Sequence, residues 1–241
     1  MIVNAIPAGW EVIYQQAHGI LAAQLAYHLK PELQCLYWVE TMVAIANHDN
    51  RQKPWRGQDG LTTAGAPADF TLQPNTLEQA RALMDAVRFQ GNWVALLTSL
   101  HMSYLYEPRR GESPATDAFL DEQRHLQQHY RKQLGIPQKQ AQKAYAILQW
   151  CDSLSLILCR RELPTAARAL EIASGPDDQT YFVKQLPDDT LHVEPWPFAQ
   201  NQIEVQAEYR ELTQLQFKDD AALAQALHQA DVKYKTWLFK A

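Results

Sequence analysis

PQKQAQKAYAILQWCDSLSLILCRR, residues 137–161, is the longest helical pattern in the chain and also its most apolar one. Proline suits the first turn of a helix, because the backbone N–H of that turn has no helical partner. The second half of the stretch surrounds Asp152 with leucine, isoleucine and cysteine. A carboxylate in such surroundings is costly unless a cation or hydrogen-bond donors meet it. The stretch therefore predicts a buried helix that carries an acid of the functional site.

Further helices and strands follow from the spacing of the apolar residues. A period near 3.6 predicts helices at residues 17–29, 32–48, 76–89, 92–106 and 115–134. After Pro164 the pattern changes to alternation, which predicts one helix at 220–230 and strands at 169–173, 181–186, 190–194, 203–212 and 234–239. We expect a helical domain over 1–164 and a small β subdomain over 165–241 packed on it, whose sheet is joined by a strand at 10–14.

Composition excludes some classes of partner. The net charge is −5, so the chain lacks the basic footprint of a protein that binds a nucleic-acid duplex. The first residues do not resemble a signal peptide, and no apolar run reaches the roughly 18 residues of a membrane helix. Three cysteines without a C-x-x-C motif are typical of a reducing compartment. We therefore expect a cytoplasmic protein without a membrane partner, and leave open a homo-oligomer.

The segment 50–75 differs from the rest of the helical half, because three glycines and three prolines interrupt it. Loops of that length are uncommon in compact domains and are often functional. Arg51, Lys53 and Arg56 lie in this segment, and Arg109 follows the helix at 92–106. These basic residues are too few for a duplex but sufficient for one small phosphorylated compound. They are our candidates for substrate binding.

Four residues form a candidate metal site. His18, the dipeptide His48-Asp49 and Asp152 offer two imidazoles and two carboxylates. This mixed nitrogen and oxygen set suits a divalent Mn, Fe, Co, Ni or Zn ion better than calcium. The alternative is a buried polar network without metal, which would need cationic partners of its own.

His101 lies in an apolar helix, and its role is open. A histidine there can be a core residue bonded to a carbonyl or a tyrosine. It can also belong to the site as a ligand, a proton donor or a phosphate contact. We count it with Asp49 as a candidate catalytic residue.

The order H…HD…D of His18, His48-Asp49 and Asp152 resembles that of the HD superfamily. The resemblance implies a helical metal-dependent hydrolase, in most cases one that cleaves phosphate esters, or in a few cases a di-iron oxygenase. Six pieces in order carry a closer resemblance to an uncharacterised bacterial family, a domain of unknown function: residues 9–10 with 16–18, then 46–49, 65–70, 99–101, 151–155 and 195–198. It implies an α+β, mainly α fold, with an HD-like helical bundle followed by a small antiparallel β-sheet region.

The sequence departs from that family after its histidine. The family tends to run H-D-D-G-W-x-x-W, whereas residues 48–55 here are HDNRQKPW. Trp55 is kept, but Asn50 replaces a carboxylate. A second acidic ligand or base at that position is therefore in doubt, and the mouth of the site is more basic.

The function that these patterns favour is a metal-dependent phosphohydrolase acting on a small phosphorylated metabolite or nucleotide. Asp49 would bind the metal and orient a water molecule, while the basic residues would neutralise the phosphate. One alternative is an HD-type di-iron oxygenase, although two irons usually need more histidines than His18, His48 and His101. The other is a non-enzymatic metal-binding or interaction protein.

Overall fold

The computed structural model describes residues 1–50, 57–73 and 76–241. The helices of these residues are α1 (Gln15–Tyr27), α2 (Trp38–Asn47), α3 (Leu77–Val87), α4 (Asn92–Tyr106), α5 (Pro114–Leu134), α6 (Gln138–Cys159) and α7 (Asp220–Gln229). Their strands are β1 (Ile2–Ile6), β2 (Gly9–Ile13), β3 (Leu170–Ser174), β4 (Thr180–Gln185), β5 (Leu191–Glu194), β6 (Gln202–Leu212) and β7 (Lys233–Lys240). None of these helices combines the length and the hydrophobicity that a membrane crossing requires.

The seven strands form one sheet in the order β1-β2-β6-β7-β5-β4-β3. Strands β1 and β2 make an N-terminal hairpin, and β2 pairs antiparallel with β6. Strand β7 follows α7 and lies between β6, to which it is antiparallel, and β5, to which it is parallel. The sheet is therefore mixed, and it draws its strands from both ends of the chain.

The prediction of a helical bundle followed by a small antiparallel sheet is wrong. Of the residues that the structure describes, 49% are helical and 21% are strand, and the seven-stranded sheet is curled like half a barrel. The error has a physical cause, since the N-terminal hairpin extends the sheet beyond β6. In addition, β7 inserts between β6 and β5 and is parallel to β5, an arrangement that alternation along single strands does not reveal.

The second helix is shorter than predicted. Pro31–Leu33 forms a separate 3-10 turn, and α2 begins only at Trp38. Tyr37, directly before it, has a φ of 55°, in the left-handed region, which ends any helix arriving from Pro31. The helix thus has ten residues, and His48 lies directly after its last residue.

Helices α1, α2, α4 and α6 meet around one core, which also includes residues of the sheet. Helices α1 and α2 approach each other closely at Gly19, where an added Cβ would lie 2.6 Å from the carbonyl oxygen of Ala46. The indole N–H of Trp93 in α4 donates to the hydroxyl of Thr41 in α2 over 2.8 Å. These contacts hold α2 against α1 and α4, which also carry residues of the candidate site.

Candidate metal centre

Three histidines and two aspartates from four parts of the chain converge in the helical core. His18 lies in α1, His101 in α4 and Asp152 in α6, while His48 and Asp49 directly follow α2. All three imidazoles are fully buried or nearly so. The long sequence separation of these residues means that only the packing of the four helices brings them together.

The predicted ligand atoms lie within a few ångströms of one another. Nε2 of His18 is 3.6 Å from Oδ2 of Asp49 and 3.7 Å from Oδ1 of Asp152. Nε2 of His48 is 3.8 Å from Oδ2 of Asp49 and 2.9 Å from Oδ1 of Asp152. Bonds of 2.0–2.2 Å to one ion place neighbouring ligand atoms about 3–3.5 Å apart. Each of these two imidazoles is therefore close enough to both carboxylates to share an ion with them once the side chains shift. Among the described residues, the sets whose ligand atoms all lie within 4.8 Å of one another are His18, His48 and Asp49, and His48, His101 and Asp152.

A hydrogen bond to the backbone carbonyl three residues earlier orients each of these two imidazoles. Nδ1 of His18 lies 3.0 Å from the carbonyl oxygen of Gln15, and Nδ1 of His48 lies 2.6 Å from that of Ile45. A carbonyl oxygen only accepts hydrogen bonds, so each Nδ1 carries a proton and donates it. In the neutral imidazole Nε2 is then a bare lone pair pointing into the cluster. Histidines that bind metals are commonly held by such a contact through their other nitrogen.

At pH 7 the cluster carries less positive charge than negative charge. Burial, reinforced by the neighbouring His48, lowers the pKa of His18 to about 4, so His18 is neutral at pH 7. Burial also opposes charge on His48, but Asp152 and Asp49 outweigh it and raise the pKa of His48 to about 10. Burial acts against ionisation of both aspartates, yet His48 holds the pKa of each below its usual range. One imidazolium thus faces two carboxylates.

The donor set fits a divalent metal ion. Among the described residues, Nε2 of His18 has no hydrogen-bond partner although it is buried. The 2.9 Å contact between Nε2 of His48 and Asp152 requires a second proton on that imidazole when no ion is present. A divalent cation would accept both lone pairs, replace that proton and neutralise the carboxylates. Nitrogen and carboxylate oxygen together suit the transition metals named above.

Asp49 presents its two oxygens to different partners. Oδ2 faces His18 and His48 and also accepts a hydrogen bond of 3.0 Å from Nε2 of Gln15. Oδ1 lies 3.7 Å from Nε2 of His101. Gln15 is buried, and its own Oε1 has no hydrogen-bond partner in the described part of the chain. Gln15 therefore holds the carboxylate of Asp49 in place from the apolar side of the site.

The opposite side of the site reaches solvent. The side chains of Asp49 and Asp152 are 18% and 14% exposed, whereas those of His18 and His48 are not exposed at all. The histidines thus form the closed floor of the site, and the two carboxylates form its rim, the part that solvent reaches.

Two tyrosines flank His101 at this rim. The hydroxyl of Tyr145 lies 3.4 Å from Nδ1 of His101. Tyr104 stacks beside the same imidazole, with ring centres 6.4 Å apart, and is 6.3 Å from the ring of Tyr145. Burial, reinforced by Asp152, raises the pKa of Tyr145, so its hydroxyl keeps its proton.

Sequence reasoning missed Gln15, Tyr104 and Tyr145, although helical spacing offered a signal for each. Gln15 and Tyr104 lie three residues from His18 and His101, and Tyr145 lies seven residues before Asp152. Residues three, four or seven apart share one face of a helix. A search of these positions for polar side chains would have found them.

The candidate substrate-binding residues are only partly described. Arg51, Lys53 and Arg56 lie outside the residues that the structure describes. Arg109 is in the 3-10 turn after α4, and its Nε donates to Oε2 of Glu112 over 2.8 Å. Its guanidinium group also stands 5.6 Å from the centre of the ring of Tyr106. Its role in binding phosphate stays a prediction.

The comparisons with known proteins give a family but no reaction. No curated protein matches the chain, and no solved structure matches it. The predicted likeness to the HD superfamily therefore stays a prediction. The model of the family described as "Protein of unknown function (DUF3891)" matches residues 1–214, which include all five residues of the cluster. The chain belongs to this family, as the sequence pieces around its histidines and aspartates predicted.

Proposed function

We propose that this protein is a metal-dependent hydrolase that cleaves phosphate esters of a small metabolite or nucleotide. One observation carries the proposal. His48 donates from Nδ1 to the carbonyl of Ile45, and its Nε2 still lies 2.9 Å from the carboxylate of Asp152. A divalent ion between Nε2 and that carboxylate explains both contacts without an extra proton. The unpartnered Nε2 of His18 supports the same position for the ion.

The shape of the site favours catalysis over a structural role. Structural metal sites are closed, whereas catalytic sites keep a position open for water or substrate. Here the imidazoles are buried and the two carboxylates are partly exposed. An ion held by these four side chains would therefore be reached from the side of Asp49 and Asp152.

The chemistry follows from this arrangement. A bound divalent ion would lower the pKa of a water molecule and polarise a phosphoryl oxygen, which prepares the ester for attack by water. Asp49, held through Oδ2 by Gln15, would orient the attacking water through its other oxygen, Oδ1. His101 lies 3.7 Å from that oxygen and would contact the reacting phosphate. Arg51, Lys53, Arg56 and Arg109 are the candidates to neutralise the phosphate charge.

The redox alternative has weaker support. In the part of the chain that the structure describes, two groups of three side chains are close enough to hold a metal: His18 with His48 and Asp49, and His48 with His101 and Asp152. Both groups include His48. One imidazole nitrogen binds one ion, so the groups cannot each hold a separate iron with a full set of ligands. Asp49 faces His101 with its other oxygen, which would suit a shared carboxylate, but three histidines remain few for two irons.

The test is phosphate release by protein loaded separately with Mn, Fe, Co, Ni or Zn. A panel of sugar phosphates, nucleotides and other phosphate monoesters and diesters serves as substrate, and a chelator serves as the blank. Asp152→Asn should abolish activity. Asp121→Asn, an exposed aspartate of α5, is the matched control and should retain it. Metal-loaded protein that releases no phosphate from any ester class would overturn the proposal, and iron-dependent oxygen consumption would favour the redox alternative.

A further inference from the structure

The three histidines of the cluster are not held in the same way. Nδ1 of His18 and of His48 each faces a backbone carbonyl, which fixes the proton on Nδ1 and leaves Nε2 free to bind metal. Nδ1 of His101 instead faces a hydroxyl, that of Tyr145, at 3.4 Å. A hydroxyl can donate as well as accept, so this contact permits the opposite tautomer, in which Nε2 carries the proton and Nδ1 accepts.

The hydroxyl of Tyr145 is better satisfied as the donor. Within the part of the chain that the structure describes, Nδ1 of His101 is the one hydrogen-bond partner found for it. If Nδ1 carried the proton, the phenol oxygen would accept and its own proton would lack an acceptor. If Nδ1 is the acceptor, both groups are satisfied. A partly buried polar group without a partner is costly, which favours the second arrangement.

The other side of the imidazole points to the same tautomer. Nε2 of His101 lies 3.7 Å from Oδ1 of Asp49. A lone pair on Nε2 would face a carboxylate oxygen and be repelled by it, whereas an N–H would be attracted. The separation exceeds the length of a normal hydrogen bond by about 0.5 Å, so the attraction here is between a charge and a dipole. The two contacts therefore form one chain, from the Tyr145 hydroxyl through His101 to Asp49.

We propose that Tyr145 is a positioning residue that keeps the proton of His101 on Nε2, so that His101 faces the metal centre as a hydrogen-bond donor and not as a ligand. This inference rests on the proposed function for its consequence in catalysis. The ligands of the ion are then His18, His48, Asp49 and Asp152. The N–H of His101 donates to the free oxygen of Asp49 at rest and to an oxygen of the phosphate ester when substrate enters.

The tautomer is measured directly by nitrogen-15 NMR of the histidine rings, in metal-free protein and after loading with zinc, which is diamagnetic. In the wild type, His101 should show a protonated Nε2 and an unprotonated Nδ1. Zinc should shift Nε2 of His18 and His48 but not bind Nε2 of His101. A protonated Nδ1 on His101, or a zinc-bound Nε2, would overturn the inference.

Tyr145→Phe removes only the hydroxyl and should let His101 populate both tautomers, visible as a change in both ring nitrogen shifts. Tyr104→Phe is the matched control, because Tyr104 also packs against His101 but its hydroxyl is not the partner of Nδ1. It should leave the tautomer unchanged. An unchanged His101 spectrum in Tyr145→Phe would refute the positioning role.

Kinetics separate the inference from the proposed function. In Tyr145→Phe, kcat for phosphate release should fall about 10- to 100-fold, as is typical for residues that orient a catalytic group, while KM and metal content stay constant. Loss of metal would instead indicate that His101 is a ligand. A wild-type protein with the expected tautomer but without phosphate release would defeat the proposed function alone. Normal kcat in the variant would defeat the inference alone.

Discussion

Substitution of Gly19 by alanine tests how the spacing of α1 and α2 supports the site. Gly19 follows His18, and the residue that it contacts, Ala46, lies two positions before His48. An added Cβ would lie 2.6 Å from the carbonyl oxygen of Ala46, about 0.8 Å short of the 3.4 Å at which ordinary contact begins. The position of a Cβ is fixed by its backbone and the carbonyl oxygen is a backbone atom, so no side-chain rotation relieves the clash. The two helices must move apart.

Two effects of opposite sign determine the change in stability. Alanine is favoured over glycine within a helix by about 1 kcal/mol. Overpacking of a core costs about 1–3 kcal/mol, and a clash of a Cβ with a backbone oxygen belongs at the upper end of that range. The free energy of unfolding should therefore fall by about 2 kcal/mol. For a chain of this length the melting temperature should fall by about 4–8 °C.

The assay is thermal unfolding of metal-free and metal-loaded Gly19→Ala, combined with metal titration. A functional site tolerates displacements of about 0.5 Å, so the movement of His18 relative to His48 should weaken metal binding at least tenfold. Ile20→Ala is the control, because Ile20 is adjacent but more than half exposed. A variant that melts at or above the wild-type temperature and binds metal normally would refute this reasoning.

Three further predictions follow from the described contacts. Gln15→Ala should weaken metal binding about 10- to 100-fold, measured by titration, because Asp49 loses the amide that orients it. Saturation with metal at about 100 times its Kd should stabilise the wild type by about 2.7 kcal/mol, seen as a rise in melting temperature, and chelation should reverse it. Burial alone would raise the pKa of Glu11, but the hydrogen bond from Arg161 and the charges of Lys235 and Arg161 lower it below 4.5. The stabilisation by Glu11 is thus present above pH 4.5 and disappears as the pH falls toward the lowered pKa. The wild type should be more stable than Glu11→Gln by about 2 kcal/mol at pH 7, and this difference should shrink in acid.

Local structure was largely predictable from the sequence, and the arrangement of the sheet was not. The period of 3.6 predicted α4 at residues 92–106, where the structure has Asn92–Tyr106, and alternation predicted strands close to β3, β4, β5, β6 and β7. The strand Ile2–Ile6 was missed, because its stability comes from pairing with β2 and not from a pattern of its own. The parallel pairing of β5 with β7 depends on residues about 50 positions apart, for which local periodicity carries no information.

The candidate ligands of the site were predictable from the sequence, but the residues and hydrogen bonds that orient them were not. The types and order of His18, His48, Asp49 and Asp152 suggested a common site, and the structure places their side chains within a few ångströms of one another. The hydrogen bonds that set the orientation of each imidazole depend on helix packing and local backbone geometry. The contact between His101 and Tyr145 joins α4 to α6, so the sequence alone left the role of His101 open.

Metal stoichiometry tests the central claim most directly. The protein is purified without chelators, and its metal content is determined by elemental analysis and by titration of metal-free protein with Mn, Fe, Co, Ni and Zn. The account predicts about one divalent ion per chain in the wild type and none retained by Asp152→Asn, with Asp121→Asn as the unaffected control. Failure of the wild type to bind any of these metals, or equal metal content in Asp152→Asn, would contradict it.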